Sequence, residues 1–143
     1  MWDLKDKTVV ITGATNGIGK AAALELAKQG PKLLLTFRNQ ELADNLLAEI
    51  KTAAPDVSVE LIYCDFSMQS SIRECSKEIV ASQDKIDVLI NNAGVVNTSY
   101  HETSEGIENT FAVNHLGYFL FTNLLLNKMK GPEESRIINV SSA

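Results

Sequence analysis

Thr8-Val9-Val10-Ile11-Thr12-Gly13-Ala14-Thr15-Asn16-Gly17-Ile18-Gly19 sets the architecture of this chain. The β-branched run Thr8–Thr12 ends at a glycine, which is the pattern of a short buried strand. Residues 17–29 carry a helical pattern that stops at Gly30-Pro31. A chain turning sharply from strand to helix needs positions that tolerate φ > 0. The missing side chains at Gly13, Gly17 and Gly19 also let a pyrophosphate approach free N–H groups at a helix N-terminus. The spacing is G-x-x-x-G-x-G rather than the commoner G-x-G-x-x-G.

Outward from that loop, strand and helix patterns alternate. Residues 32–36, 57–63, 86–90 and 136–140 are apolar runs expected as strands two to five. They are continuous rather than alternating, as when helices cover both faces of a sheet. Ala43, Leu46, Leu47 and Ile50 mark an amphipathic helix over 40–53, and Ile72, Cys75, Ile79 and Val80 mark another. Two more helices are expected over 103–113 and 115–130, the second apolar almost all round and therefore buried. The order βαβαβαβααβ predicts an α/β fold, a doubly wound parallel sheet with right-handed crossovers. No internal repeat or linker divides residues 1–143, so they read as one domain.

The chain has 143 residues, 45% hydrophobic, with a net charge of −5, which excludes wholesale disorder and argues against nucleic-acid binding. Cys64 and Cys75 cannot make a disulfide framework. His101 and His115 have no metal-ligand spacing with them, so no metal site is expected. No signal-peptide pattern opens the sequence, and Leu116–Leu126 is too short to span a bilayer. A cytoplasmic protein is the expectation.

The loop Thr12-Gly-x-x-x-Gly-Ile-Gly, with Asn91-Asn92-Ala93-Gly94 after the fourth strand, resembles the short-chain dehydrogenases/reductases. Asp65-Phe66 after the third strand, Val113-Asn114-His115-Leu116-Gly117 and Asn139-Val140-Ser141-Ser142 agree in order. Arg38-Asn39 and the last two segments give it the flavour of the retinol-dehydrogenase-like branch. The resemblance implies a Rossmann-type sheet of strand order 3-2-1-4-5 that binds NAD(P), with the later strands of the full fold missing. It places the cofactor against Gly13, Thr15, Asn16, Gly17, Ile18, Gly19, Arg38, Asp65, Phe66, Asn92, Ala93 and Gly94. It implies hydride exchange between nicotinamide and a small alcohol, aldehyde or ketone of lipophilic character. It also implies a homo-oligomer formed, in the full-length protein, through the helix of Leu116–Leu126.

The second strand ends Leu35-Thr36-Phe37-Arg38. A carboxylate there would accept the adenosine ribose hydroxyls and repel a 2′-phosphate. Phe37 stands in its place, and the Arg38 guanidinium matches phosphate geometry. NADP(H) is therefore favoured. NAD(H) is the alternative, because Asn16 is not replaced by a second basic residue. By resemblance, Asn114 holds a water of the proton relay, Asp65 contacts the adenine amino group, and Ser142, rather than Ser141, orients the substrate oxygen.

The family's Tyr-x-x-x-Lys pair is absent. Four residues after Tyr63, Tyr100 and Tyr118 stand Ser67, Ser104 and Thr122. Acid–base assistance of this kind is worth typically 10²–10⁴-fold. The expectation is a Rossmann domain incomplete at its C-terminus: the cofactor-binding part of an oxidoreductase, inactive alone. A silent nucleotide-binding or subunit-interaction module is the alternative. An open sheet edge and uncovered helix surface would then make the chain prone to associate.

Overall fold

A computed structural model describes residues 3–131 and 134–141. Strands β1 (Thr8–Ile11), β2 (Lys32–Phe37), β3 (Ser58–Tyr63), β4 (Val88–Asn91) and β5 (Arg136–Asn139) form one parallel sheet ordered β3-β2-β1-β4-β5. This is the Rossmann-type order expected from the sequence. The order reverses beside β1, so the crevice above the carboxyl ends of β1 and β4 is the topological switch point where such sheets bind ligands.

Strand side chains alternate between two cores. Val9, Ile11, Leu33, Leu35 and Val88 pack under α1 (Gly17–Ala27) and α2 (Gln40–Ala53). Val10, Leu34, Ile62 and Leu89 face α3 (Gln69–Ser82) and α5 (Gly117–Met129). At the amino end of the sheet, Asp87 is almost buried. It accepts from the Thr8 N–H at 2.8 Å and pairs with Lys85 at 2.9 Å, which fixes the entry of β4 beside β1.

Three expectations need correcting. The fourth strand begins at Val88, not at residue 86. Ile86 is fully buried, but its N–H donates to the Lys128 carbonyl and so ties the loop to the end of α5. Residues 103–108 are not helical. The Thr103 hydroxyl takes the Glu105 and Ile107 N–H groups, Gly106 sits at φ +74°, and Glu102 bridges to Glu108. Helix begins only at α4 (Asn109–Phe111), which continues without a break through a π-helical turn, Ala112–Leu116, into α5. One continuous helix with a π turn therefore replaces two. Nor is α5 buried all round: Phe121, Leu125 and Met129 face the core, whereas Phe119 is 66% exposed.

Candidate cofactor site

A cleft of about 860 Å³ opens at the switch point, between the β1–α1 loop, the end of β2, the β3–α3 connection and the loop after β4. Two threonines at strand ends build its floor. Thr12 is fully buried, and its Oγ1 accepts from the N–H groups of both Asn92 and Ala93 at 2.9 Å. Thr36 Oγ1 accepts from Gly13 N–H at 3.2 Å. Asn92 Nδ2 donates to the Thr12 and Gly13 carbonyls at 3.0 and 3.1 Å. The glycine loop and the Asn91–Gly94 loop are thus one hydrogen-bonded unit.

Packing makes the same join. A Cβ at Gly19 would collide with the Gly13 carbonyl and with Asn92 Nδ2, so only glycine lets α1 start this close to β1. Gly17 has the opposite surroundings. Its φ is +51°, and nothing lies within 4 Å of where a Cβ would be. That combination is a backbone turn facing open cleft. Asn16 Oδ1 accepts from Gly17 N–H at 2.8 Å and Lys20 N–H bonds to the Asn16 carbonyl, while the N–H groups of Ile18 and Gly19 donate to no acceptor among the described residues. Unpaired first-turn donors with the positive end of a helix dipole suit an anion.

Arg38 lines the far end of the cleft, one residue beyond β2, and forms no ion pair among the described residues. Beside it, Asn39 caps α2 by accepting from Leu42 N–H at 3.1 Å. On the next wall Asp65 Oδ1 accepts from both the N–H and the hydroxyl of Ser67, and Oδ2 takes no hydrogen bond among the described residues. Asp65 lines the cleft with one carboxylate oxygen unbonded among the described residues. It does not cap α3, whose first N–H, on Gln69, donates instead to Glu105 at 3.1 Å from the loop after β4.

Asn114 sits in the π-helical turn. Its Oδ1 accepts from Val95 N–H at 2.9 Å and its Nδ2 donates to the Val95 carbonyl at 2.8 Å, a two-point clamp that holds the loop after Gly94. The π turn is one residue longer than an α turn, and such turns recur at functional sites. A Cβ at Gly117 would sit 2.9 Å from the Phe66 ring, so α5 docks directly on the Asp65-Phe66 segment. Phe66 also meets Phe121 edge-on at 5.3 Å between centroids. Tyr118 lines the cleft, and burial pushes its phenol above the ordinary value. Ser141 reaches the cleft beyond β5, and Ser142 lies outside the described residues.

The cleft gathers most of the residues expected from the sequence: Gly13, Thr15, Asn16, Gly17, Ile18, Arg38, Asp65, Phe66, Asn92, Ala93, Gly94 and Asn114. Gly19 lies behind its wall. Sequence reasoning missed Thr12 and Thr36 as organisers and Val95 as the partner of Asn114. The only available signal was a threonine inside or beside an otherwise apolar strand.

The short chain dehydrogenase family model matches residues 7–143. The chain belongs to that family. Human retinol dehydrogenase 13 is 44% identical over 136 residues, covering 95% of this chain and 41% of the relative. Human retinol dehydrogenase 11 is 45% identical over 139 residues, covering 97% and 44%. Among solved structures, a metagenomic short-chain oxidoreductase in complex with NADP is 30% identical with a TM-score of 0.84, covering 99% of this chain and 65% of that one. This short-chain dehydrogenase chain spans less than half the length of the two curated relatives, and its identity to them over nearly all of its residues supports the retinol-dehydrogenase-like branch expected from the sequence.

Proposed function

We propose that the chain binds NADP(H) in this cleft and forms the cofactor-binding part of an oxidoreductase acting on a lipophilic alcohol, aldehyde or ketone. The observation that carries the cofactor preference is Arg38, on the cleft wall where β2 ends and without an ion pair among the described residues, with Asp65 the only carboxylate among the described lining residues. A guanidinium there suits a 2′-phosphate, and Phe37 stands where a carboxylate would repel one. The NADP bound to the 30% identical metagenomic oxidoreductase supports the same choice. The free N–H group of Ile18 fits the pyrophosphate, and Asp65 Oδ2 fits an adenine amino donor. When bound, the nicotinamide supplies or accepts the hydride.

The chain's own residues hold and orient. Asn114, through Val95, fixes the wall beside Gly94, and its second N–H is left to hold a water. Ser142 orients the substrate oxygen. Residues 1–143 carry no Tyr-x-x-x-Lys pair to supply the proton donor and its lysine. The retinol dehydrogenases among the relatives make a retinoid a sensible first substrate to assay. The exposed Phe119 on α5, with Phe111 at 51% exposure, gives a homo-oligomer an apolar face to share.

The test is Arg38→Glu. Loss of a charge-assisted contact worth about 1.5–3 kcal/mol weakens NADPH binding by about ten- to a hundredfold, with NADH little changed. Equal effects on both dinucleotides would remove the assignment. A second reading rests on the missing Tyr-x-x-x-Lys pair: a module that binds nucleotide and does not turn it over. NADPH binding without any oxidation of added alcohol supports it, and turnover by residues 1–143 alone excludes it.

A further inference from the structure

We propose that Asn16 is a self-modification site: the Gly17 nitrogen attacks its side-chain amide, ammonia leaves, and the aspartate or isoaspartate that results weakens dinucleotide binding at the glycine loop. Of the asparagines in the chain, Asn16 alone is followed by glycine. Asn16 caps α1, Gly17 is the first residue of that helix, and both are exposed. A capping asparagine ordinarily accepts from the second or third N–H of its helix. Asn39 does so at α2, where its Oδ1 takes Leu42 N–H at 3.1 Å. Asn16 Oδ1 instead accepts from Gly17 N–H at 2.8 Å. The nitrogen that would close the ring therefore rests against the side-chain carbonyl whose carbon it attacks.

Nothing shields that nitrogen. Gly17 has no side chain, and no atom lies within 4 Å of where its Cβ would be. The leaving group is loose as well, because Asn16 Nδ2 makes no hydrogen bond among the described residues. The reaction balances with water alone. The Gly17 nitrogen gives up its proton and bonds to Asn16 Cγ; the Cγ–Nδ2 bond breaks, and ammonia leaves with that proton. A five-membered succinimide ring remains. Water then adds to a ring carbonyl and breaks one C–N bond, giving aspartate if it opens at Cγ and isoaspartate if it opens at the main-chain carbonyl. No electrons change hands: a neutral amide and water become a carboxylic acid and ammonia.

The consequence falls on the cleft. Asn16, Gly17 and Ile18 line it at the first turn of α1, where the Ile18 N–H is free for an anion. A carboxylate at position 16 competes for that positive helix end and repels the phosphates of a dinucleotide. Isoaspartate also lengthens the main chain, because it runs through the former side chain. That displaces the Asn16 carbonyl, which accepts from Lys20 N–H at 3.1 Å and starts the helix. A bound dinucleotide covers this turn and holds it still, so a loaded chain keeps Asn16 and a chain left empty loses it. The modification is independent of the cofactor assignment, while its effect on binding rests on that assignment.

The test incubates the full chain at mildly alkaline pH with and without NADPH. Peptide mapping by mass spectrometry, with fragmentation that separates aspartate from isoaspartate, follows each asparagine, and NADPH is titrated at each time. Expected are conversion of Asn16 ahead of Asn39 and every other asparagine, slower conversion with NADPH present, and NADPH affinity at least about tenfold weaker in the converted fraction. Asn16→Gln, which would have to close a larger ring, should hold its own starting affinity throughout, and Asn16→Asp should start at the weakened value. The proposal is overturned if Asn16 in the folded chain converts no faster than Asn39. Conversion with unchanged NADPH affinity overturns the link to the cleft. A fresh chain that does not bind NADPH removes the cofactor reading, and the peptide map alone then decides the modification.

Discussion

Replacing Thr12 with valine keeps the volume of a fully buried side chain and removes one oxygen. That oxygen accepts from Asn92 N–H and Ala93 N–H, both at 2.9 Å, and donates weakly to the Ile90 carbonyl at 3.4 Å. Valine leaves both N–H groups facing a methyl. A buried donor left unsatisfied costs about 1–3 kcal/mol, and the Asn92 donor is only partly buried, so the expected destabilisation is about 2–4 kcal/mol. Against a typical domain stability of about 5–15 kcal/mol, that is a large fraction. Urea unfolding followed by far-ultraviolet circular dichroism should show the midpoint fall with an unchanged slope. Thr12→Ser, which keeps the oxygen, should recover most of the loss. Because the same oxygen joins the two loops of the cleft, Thr12→Val should also weaken NADPH binding at concentrations of urea where the chain is still folded. A valine variant within about 0.5 kcal/mol of the parent, the usual spread of neutral substitutions, would refute the role given to Thr12.

Gly117→Ala places a methyl 2.9 Å from the Phe66 ring and 3.2 Å from the Ala112 carbonyl, so it should cost about 1–3 kcal/mol by overpacking, measured by the same unfolding assay. The Glu108 carboxylate accepts from Phe111 N–H and Thr110 N–H at the start of α4, which holds its pKa below the ordinary carboxylate value. A depressed folded-state pKa gives stability that is complete above the unfolded value and is lost as pH falls through the folded one. The difference in melting temperature between the parent and Glu108→Gln should therefore shrink as pH drops through the carboxylate range, and a constant difference would argue against the cap. Ile138 is 45% exposed on β5 and lines an apolar groove with Leu4, Val9, Leu26, Val88 and Ile90. Light scattering should show concentration-dependent association that Ile138→Lys reduces; a parent chain monomeric at all concentrations would contradict this.

The fold was legible because its signals are local. Glycines at 13, 17 and 19 after an apolar strand, and Gly30-Pro31 after a helix, mark turns that each need only their own neighbours. What escaped depends on tertiary partners. Ile86 reads as strand because it is apolar, but its N–H belongs to α5. Residues 103–108 carry polar residues and a glycine that fit a helix start as well as the bonded turn they form. The π-helical turn at Ala112–Leu116 leaves no distinctive composition, only a slip in the spacing of buried positions from Ala112 to Gly117. In the cleft, residue identity was readable from motif order, whereas the organisation was not. Thr12, Asn92 and the Val95–Asn114 clamp join segments some twenty to eighty residues apart, and only coordinates bring them together.

The central claim is that Arg38 makes this cleft an NADP(H) site. Its most direct test is the pair of dissociation constants for NADPH and NADH, measured on the parent chain by isothermal titration at fixed salt. The account predicts NADPH binding at least about tenfold tighter, one charge-assisted hydrogen bond's worth. NADH binding as tightly as NADPH, or more tightly, would contradict it.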